Sequence, residues 1–395
     1  MRKHILIFLF LIIVTIIVVL YGKGYRFGQT EGKPGLSGTG LLVATSQPNG
    51  AQIFVNNHLT SATNNTINLA PGEYDVKIVK DGYFPWNKKI KIQREVVSKA
   101  DALLFITTPK LEGITDSGVA NPVIDPSLRQ IAFTVASQSA RKNGVYILDM
   151  TSRPILTLQS ASTQIVDDTL DKFSQGIPSW SPDGRQLVAT VSSRLGFPTT
   201  YLLNTNFNQN PRDVTETLGN VNETWILQRE TKERSRIDGL KPVLRNVISQ
   251  DFKILSWSPD ETKILYTASQ SANIPTIINP PLIGTDSAPE IRLIQKGSVY
   301  VYDIKEDKNF KILDYIPYAT RPLPLTWFPD SEHLIFVNDS QINIMEYDAQ
   351  NKTTVYAGPF VDNYVFPWPD ASKIVILTNL GNSNLVPNLY TIGLK

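Results

Sequence analysis

Apolar side chains recur at every second position through much of this chain. Between Leu41 and Ile106, Tyr74, Val76 and Ile78 alternate with Asp75 and Lys77, and Ile90 and Ile92 alternate with Lys89 and Lys91. Val79 breaks the phase just before Lys80 and a turn. A period of two marks strands with one buried face. Pro48-Asn49-Gly50, Asn56-Asn57, Pro71-Gly72 and Asp81-Gly82 punctuate these strands as turns. Residues 41–106 therefore predict a small antiparallel β-sandwich. One segment departs from the alternation. After Met1-Arg2-Lys3-His4 the chain is apolar from Ile5 to Tyr21 except for Thr15. About 17 residues at ~1.5 Å each give roughly 25 Å of helix, slightly short of a ~30 Å hydrocarbon core. This predicts a transmembrane anchor over residues 1–21, with Lys3 and Lys23 snorkelling. A cleaved signal peptide is the competing reading, but Tyr21 to Arg26 does not resemble a small-residue cleavage site. The short basic start places the N-terminus inside and the bulk of a single-pass protein outside the cytoplasmic membrane, although Lys23 and Arg26 weaken the charge asymmetry. Residues 22–40 are glycine-rich without an apolar period and read as a tether.

The C-terminal two-thirds repeats a phrase. Ser179-Trp180-Ser181-Pro182-Asp183 precedes Leu187-Val188, Ser256-Trp257-Ser258-Pro259-Asp260 precedes Ile264-Leu265, and Thr326-Trp327-Phe328-Pro329-Asp330 precedes Leu334-Ile335. Weaker copies start at Ile124-Asp125-Pro126 and Pro367-Trp368-Pro369-Asp370. A strand of the type Val-Tyr-x-x-Asp follows in Val145–Asp149, Tyr201–Asn204, Val299–Asp303 and Ile344–Asp348. A weaker fourth strand follows, as in Pro154–Leu158 and Phe310–Leu313. Four strands per repeat make a propeller blade. The expected fold is thus mainly β: an N-terminal transmembrane helix, the sandwich, and over residues 107–395 a β-propeller of about five four-stranded blades. A sixth blade could lie in 213–250, but no turn phrase occurs there. The charged run after Trp225 looks more like helix or loop. The recurring Trp residues read as blade packing and the recurring Asp residues as turn formers.

Two resemblances follow from these residues. Pro48-Asn49-Gly50-Ala51, Leu69-Ala70-Pro71-Gly72-Glu73-Tyr74 and Asp81-Gly82-Tyr83-Phe84-Pro85-Trp86 resemble the PEGA domain. Asn49 stands where that family's Glu usually sits, Asn56-Asn57 replaces its Asp-Gly, and its Thr-Pro before the third strand is missing. The resemblance implies an extracytoplasmic binding or spacer module. Tyr83, Phe84 and Trp86 are then either an aromatic platform for sugar or residues packed on the sandwich. The Trp-x-Pro-Asp repeats are similar to TolB-like propellers of the WD-repeat type, which usually have six or more blades.

Composition removes several chemistries. The 395 residues carry a formal charge of +2, so no strong basic field invites nucleic acid. There is no cysteine, hence no disulfide framework, thiolate metal site or Cys nucleophile. The histidines His4, His58 and His333 lie far apart. No phosphate loop, dinucleotide loop or Gly-x-Ser-x-Gly elbow occurs. The expectation is no catalytic, cofactor or metal residue. The chain reads as a membrane-anchored, extracytoplasmic binding or scaffold protein of a bacterial envelope. Its partners would be the bilayer through residues 5–21 and a protein, peptide or cell-wall glycan through the propeller. The alternative is a glycosidase or lyase acting on envelope polysaccharide with acids such as Asp167 and Asp168.

Two long connections, Thr215–Gln250 and Ser269–Gly297, leave the same end of the blades and are the expected binding loops, unless both are disordered insertions. Trp225, Arg229 and Arg236 are the candidate contacts. Because the last blade lacks a fourth strand, Leu111–Ile114 is expected to pair with Leu389–Ile392 and close the ring.

Overall fold

A computed structural model describes residues 2–22, 25–30, 33–151, 162–192, 196–316 and 322–395. Helix α1 spans Arg2–Gly22. No helix among the described residues is long and apolar enough to cross a membrane. The expected transmembrane helix is corrected accordingly: its apolar part, at roughly 25 Å, falls short of the hydrocarbon thickness, and bilayer contact through residues 5–21 has no support. The expected tether contains a two-stranded ribbon, Tyr25–Thr30 with Lys33–Gly38.

The small sandwich is present, but one of its sheets is not antiparallel throughout. Gly40–Gln47 pairs antiparallel with Asn65–Leu69 and parallel with Val97–Leu103. The second sheet orders His58–Ala62, Gln52–Val55, Gly72–Val79 and Trp86–Ile92, all antiparallel. The alternation read from the sequence fills the core between them: Val76, Ile78, Ile90 and Ile92 pack with Leu42, Ile53, Ala100 and Leu104. The three aromatics pack and offer no platform. Trp86 is buried and Tyr83 half-buried on this core, and Phe84 lies against the core of the larger unit.

Among the described residues, five four-stranded antiparallel sheets follow. Sheet 1 is Ala120–Ile124, Gln130–Val135, Gly144–Asp149 and Ser162–Asp167. The weak strand expected at 154–158 lies outside the described residues. Sheet 2 is Ile177–Trp180, Gln186–Ser192, Pro198–Asn204 and Arg212–Asp213. Sheet 3 is Phe252–Trp257, Lys263–Ala268, Val299–Asp303 and Lys308–Leu313. Sheet 4 is Leu325–Trp327, His333–Asn338, Gln341–Glu346 and Thr353–Ala357. Sheet 5 is Val365–Pro367, Lys373–Thr378 and Asn388–Gly393, completed by Leu111–Gly113. That last pairing matches the expected segments, with Leu111 opposite Ile392 and Gly113 opposite Tyr390.

The repeat phrase does what its residues dictate. Asp183 accepts the Ser181 hydroxyl at 2.6 Å and the Arg185 amide at 3.1 Å, and Asp260 repeats this with Ser258 and Thr262. The Ser181 bond holds the Asp183 carboxyl below its ordinary pKa. Trp180, Trp257 and Trp327 are buried in cores that flank their sheets.

The sheets nonetheless do not form a closed propeller, and the expected ring is corrected on this point. Shared cores join sheet 2 to 1, 1 to 5, 5 to 4 and 4 to 3. No core among the described residues joins sheet 2 to sheet 3. Helices α2 (Leu218–Asp238) and α3 (Pro242–Asp251) stand between them in the chain. Leu244, Val247 and Ile248 of α3 cover the face of sheet 3 that carries Trp257, Tyr266 and Tyr300. The indole N–H groups record the exchange. Trp180 donates to the Val123 carbonyl of neighbouring sheet 1 at 3.1 Å, whereas Trp257 donates to Glu233 of α2 at 2.9 Å. The region suspected of hiding a sixth blade is helical, and its helices take the place a neighbouring sheet would have had.

Candidate functional site

The candidate residues read from the sequence do not assemble into a site. Trp225 is buried on α2, while Arg229, one turn on, is exposed. Arg236 is committed to structure: its guanidinium donates to Glu261 at 2.6 Å and lies 5.5 Å from the Trp257 ring. Asp167 accepts the Thr169 amide, and Asp168 holds the Ser174 amide and hydroxyl at 2.8 and 2.6 Å. This is turn chemistry rather than an acid pair facing a substrate.

The second long connection is neither disordered nor free. Its ends form a short ribbon, Ala272–Asn273 with Leu293–Ile294, and Ile274 and Ile294 are buried against sheet 3. Asp307 accepts the amides of Ile277 and Ile278 at 2.6 and 2.7 Å and pairs with Arg292 at 3.3 Å. The connection thus runs as a strap to the far end of sheet 3, where its tip meets the small domain. Gly284 at the tip has φ +72°, and a Cβ there would stand 2.8 Å from Val96 and 3.0 Å from the Val97 carbonyl. Only glycine combines that backbone with that approach.

A heavily charged buried contact forms at this junction. Trp86, Lys88, Ile90 and Ile92 share one side of their strand, so Lys88 projects where an apolar residue is expected. Its ammonium meets Asp286 of the strap at 3.1 Å, and Glu346 and Asp348 of sheet 4 at 2.8 and 2.7 Å. Trp86 donates its indole N–H to Glu346, which also accepts Asn351 at 2.8 Å. The Asn87 amide donates to Asn351 and the Lys91 amide to Ser287 of the strap. Lys308 donates to the Asp286 carbonyl, and Glu306 accepts the Asp286 amide at 2.9 Å. Three bodies are therefore pinned by one side chain.

The electrostatics follow from burial and proximity. Burial pushes the Lys88 pKa down, but Glu346, Asp286 and Asp348 outweigh it and hold the ammonium above its ordinary value. Burial raises Asp348 to about 6, with Lys88 opposing and Asp286 and Glu346 adding to the rise. Burial likewise raises Asp303. His333, buried between Phe105 and Phe328, is 2.7 Å from Asp330, and that bond outweighs burial and raises its pKa.

Two spaces open beside the strap tip, and both are lined by Gly284, Thr285, Asp286 and Ser287. The outer cleft, about 570 Å³, lies against Lys89 and Lys91 of the small domain and Leu282 of the strap. The inner cavity, about 440 Å³, is floored by Lys88, Asp303, Glu346 and Tyr347. Among the described residues no group of three or more His, Cys, Asp or Glu side chains could hold a metal ion. Sequence reasoning missed this junction. The available signal was the lysine at an inward position of an alternating strand.

No curated protein matches this sequence. Among solved structures, the chain resembles the putative TolB of Agrobacterium tumefaciens at 16% identity, over 69% of this chain and 72% of that one, with a TM-score of 0.21. It resembles TolB of Acinetobacter baumannii at 15% identity over 81% of this chain and 59% of that one, TM-score 0.24. It resembles the hydrazine synthase of Kuenenia stuttgartiensis at 12% identity over 93% and 99%, TM-score 0.20. The reading of the larger unit rests on its own sheets and not on likenesses this loose. Residues 39–105 of the small domain match the PEGA domain family.

Proposed function

We propose that this chain is a binding and scaffold protein of a bacterial envelope, extracytoplasmic, and not an enzyme. Its ligand site in this reading is the junction of the PEGA-type domain with the five-sheet unit. One observation carries the proposal: a cleft of about 570 Å³ is built jointly by the small domain and an ordered strap. Clefts at domain junctions are favoured ligand sites. The PEGA match supports an envelope setting. A peptide or protein ligand fits better than a glycan. Tyr83, Phe84 and Trp86 are packed away, and the cleft wall carries Lys89, Lys91, Gln93 and Leu282 with no aromatic ring.

A photo-crosslinking side chain at exposed Lys89 or Leu282 should capture an envelope protein or peptide, whereas one at Ile177, exposed on sheet 2, should not. Turnover of envelope polysaccharide by the purified protein, with no crosslink at either cleft position, would replace this reading with the glycosidase alternative.

A further inference from the structure

The strand Trp86–Ile92 is an edge of its four-stranded sheet. Along such an edge the main-chain groups alternate: one residue bonds to the neighbouring strand and the next points outward. The contacts on both sides fix which residues point outward. Lys89 lies opposite Asp75, and Asp75 turns its amide and its carbonyl the other way, to Asn56, at 3.0 and 2.9 Å. Asn87, Lys89 and Lys91 therefore form the outward series. Its two ends are capped. The Asn87 amide donates to Asn351 in a turn of sheet 4 at 2.8 Å, and the Lys91 amide donates to Ser287 of the strap at 3.0 Å. The Lys91 carbonyl accepts the Ser98 hydroxyl at 3.0 Å. Between these caps the Lys89 amide and carbonyl have no partner among the described residues.

That gap opens on the outer cleft. Lys89 lines the cleft, and so do Ser287, one of the caps, and Gln350, next to the other. Asn87 to Lys91 span about 13 Å at ~3.3 Å per residue, room for a few residues of extended chain. An antiparallel chain needs one residue there: it gives its N–H to the Lys89 carbonyl and its carbonyl accepts the Lys89 amide. Residues paired across two strands carry their side chains on the same face, so that residue's side chain enters the cleft beside Lys89. Ile278, Pro281 and Leu282 of the strap give the cleft its apolar surface. Ser287 and Asn351 already make on this edge the contacts of an incoming strand, so the open position continues an interface the chain itself uses.

We propose that the strand edge at Lys89 takes an extended peptide by strand addition: one antiparallel residue bonds to both main-chain groups of Lys89 and places an apolar side chain in the outer cleft. This rests on the reading of that cleft as the ligand site and deepens it by giving the ligand a chemical class. The peptide is held by its backbone and by one apolar side chain rather than by its charge.

The test is a titration of the full chain, made with isotope-labelled lysine and followed by amide NMR. The probes are acetyl-Ala-Leu-Ala methylamide and its analogue methylated on the leucine nitrogen, which lacks the donor. The first should shift the Lys89 amide signal and slow its exchange with solvent, while the signal of Lys172, just before sheet 2, stays in place. The methylated analogue should bind about tenfold more weakly or worse, because one main-chain hydrogen bond is left unmade. Lys89→Pro removes the outward amide without breaking a bond to the neighbouring strand, a position where edge strands accept proline. It should weaken binding of the first peptide by a similar factor. If that variant fails to fold, the two peptides on the unaltered chain carry the comparison. Equal binding of both peptides, binding that leaves the Lys89 amide signal unmoved, or no binding overturns the proposal. If the crosslinks at Lys89 or Leu282 still form in any of those cases, the cleft remains the ligand site and only strand addition is lost. If they fail as well, the reading of the cleft falls with it.

Discussion

Lys88 is the residue on which the domain junction turns, and its position in the alternation explains why. Its strand buries Trp86, Ile90 and Ile92 on the small domain's core side. The ammonium reaches past that core into the carboxylates of two other elements. Removing one partner of a buried ion cluster leaves uncompensated charge, typically costing about 3–5 kcal/mol, whereas an exposed charge is worth a few tenths. Lys88→Ala, and Lys88→Met, which keeps the stem's packing, should therefore lower stability by about 3–5 kcal/mol in denaturant titrations. Lys89→Ala, a neighbour 66% exposed at its side chain, should change it by less than about 0.5 kcal/mol. Equal effects of Lys88→Met and Lys89→Ala would remove Lys88 from this role. Asp348 makes a second prediction. From the turn after Gln341–Glu346 it faces Lys88 of the small domain, Asp286 of the strap and Glu346 at the end of that strand. A carboxyl raised to about 6 in the folded state contributes stability that is complete below its ordinary pKa and is lost as pH rises through about 6. The Lys88 contribution, raised above its ordinary pKa, stays constant over that window. Relative to the wild type, Asp348→Asn should gain stability steadily from pH 4 to pH 7. A wild-type-minus-variant difference that is flat with pH would show that Asp348 does not titrate there. The sequence carried the phase of Lys88 openly, but not its partners: Asp286 and Glu346 lie some 200 residues or more away, and only the fold brings them together.

At the level of the element, local grammar was readable and long connections were not. The Ser-Pro-Asp turns, the Trp positions and the Val-Tyr-x-x-Asp strands follow from residues within a few positions of each other, and each appears where those residues put it. The connection 269–297 has no such local code. It is ordered by remote groups, Asp307 above all, and by one glycine at its tip. Gly284→Val tests that ordering. The positive φ disfavours a β-branched residue, and the new side chain would meet Val96 and the Val97 carbonyl. The tip should lift from the small domain, withdrawing Asp286 from Lys88. Limited proteolysis should then cut within 281–286 in the variant while the wild type resists. Continued protection in Gly284→Val would mean that the strap is held by its Asp307 end alone. The helices α2 and α3 were legible as a break in the repeat whose charged run reads as helix or loop. Their role at sheet 3 depends on α3's apolar face and on Glu233 meeting Trp257, a contact across elements.

At the scale of the molecule, the order of shared cores decides how the sheets depend on each other. They run 2, 1, 5, 4, 3, and among the described residues the ends of that series do not meet through a common core. Sheet 5 is therefore the midpoint of an open series. Its strand Asn388–Gly393 lies between Lys373–Thr378 and Leu111–Gly113, so it holds both neighbours by main-chain hydrogen bonds. Leu389 belongs to the core shared with sheet 1, and Ile392 and Leu394 to the core shared with sheet 4. The Leu394 carbonyl also accepts the Ile106 amide at 3.1 Å, tying this end of the chain to the small domain. In a closed ring, sheets 1 and 2 would remain joined to 3 and 4 by the opposite route if sheet 5 failed. In an open series there is no second route. A chain ending at Val386 would lose those three buried side chains, each worth about 1.5–3 kcal/mol of burial, and would expose two strand edges. The truncated protein should melt at a clearly lower temperature. Its transition should split, with the 2–1 and 4–3 pairs unfolding separately in hydrogen exchange followed by mass spectrometry. A single transition at the full-length temperature would contradict the open order. A single transition at a lower temperature, with all sheets exchanging together, would mean that α2 and α3 couple sheets 2 and 3 as tightly as a core does.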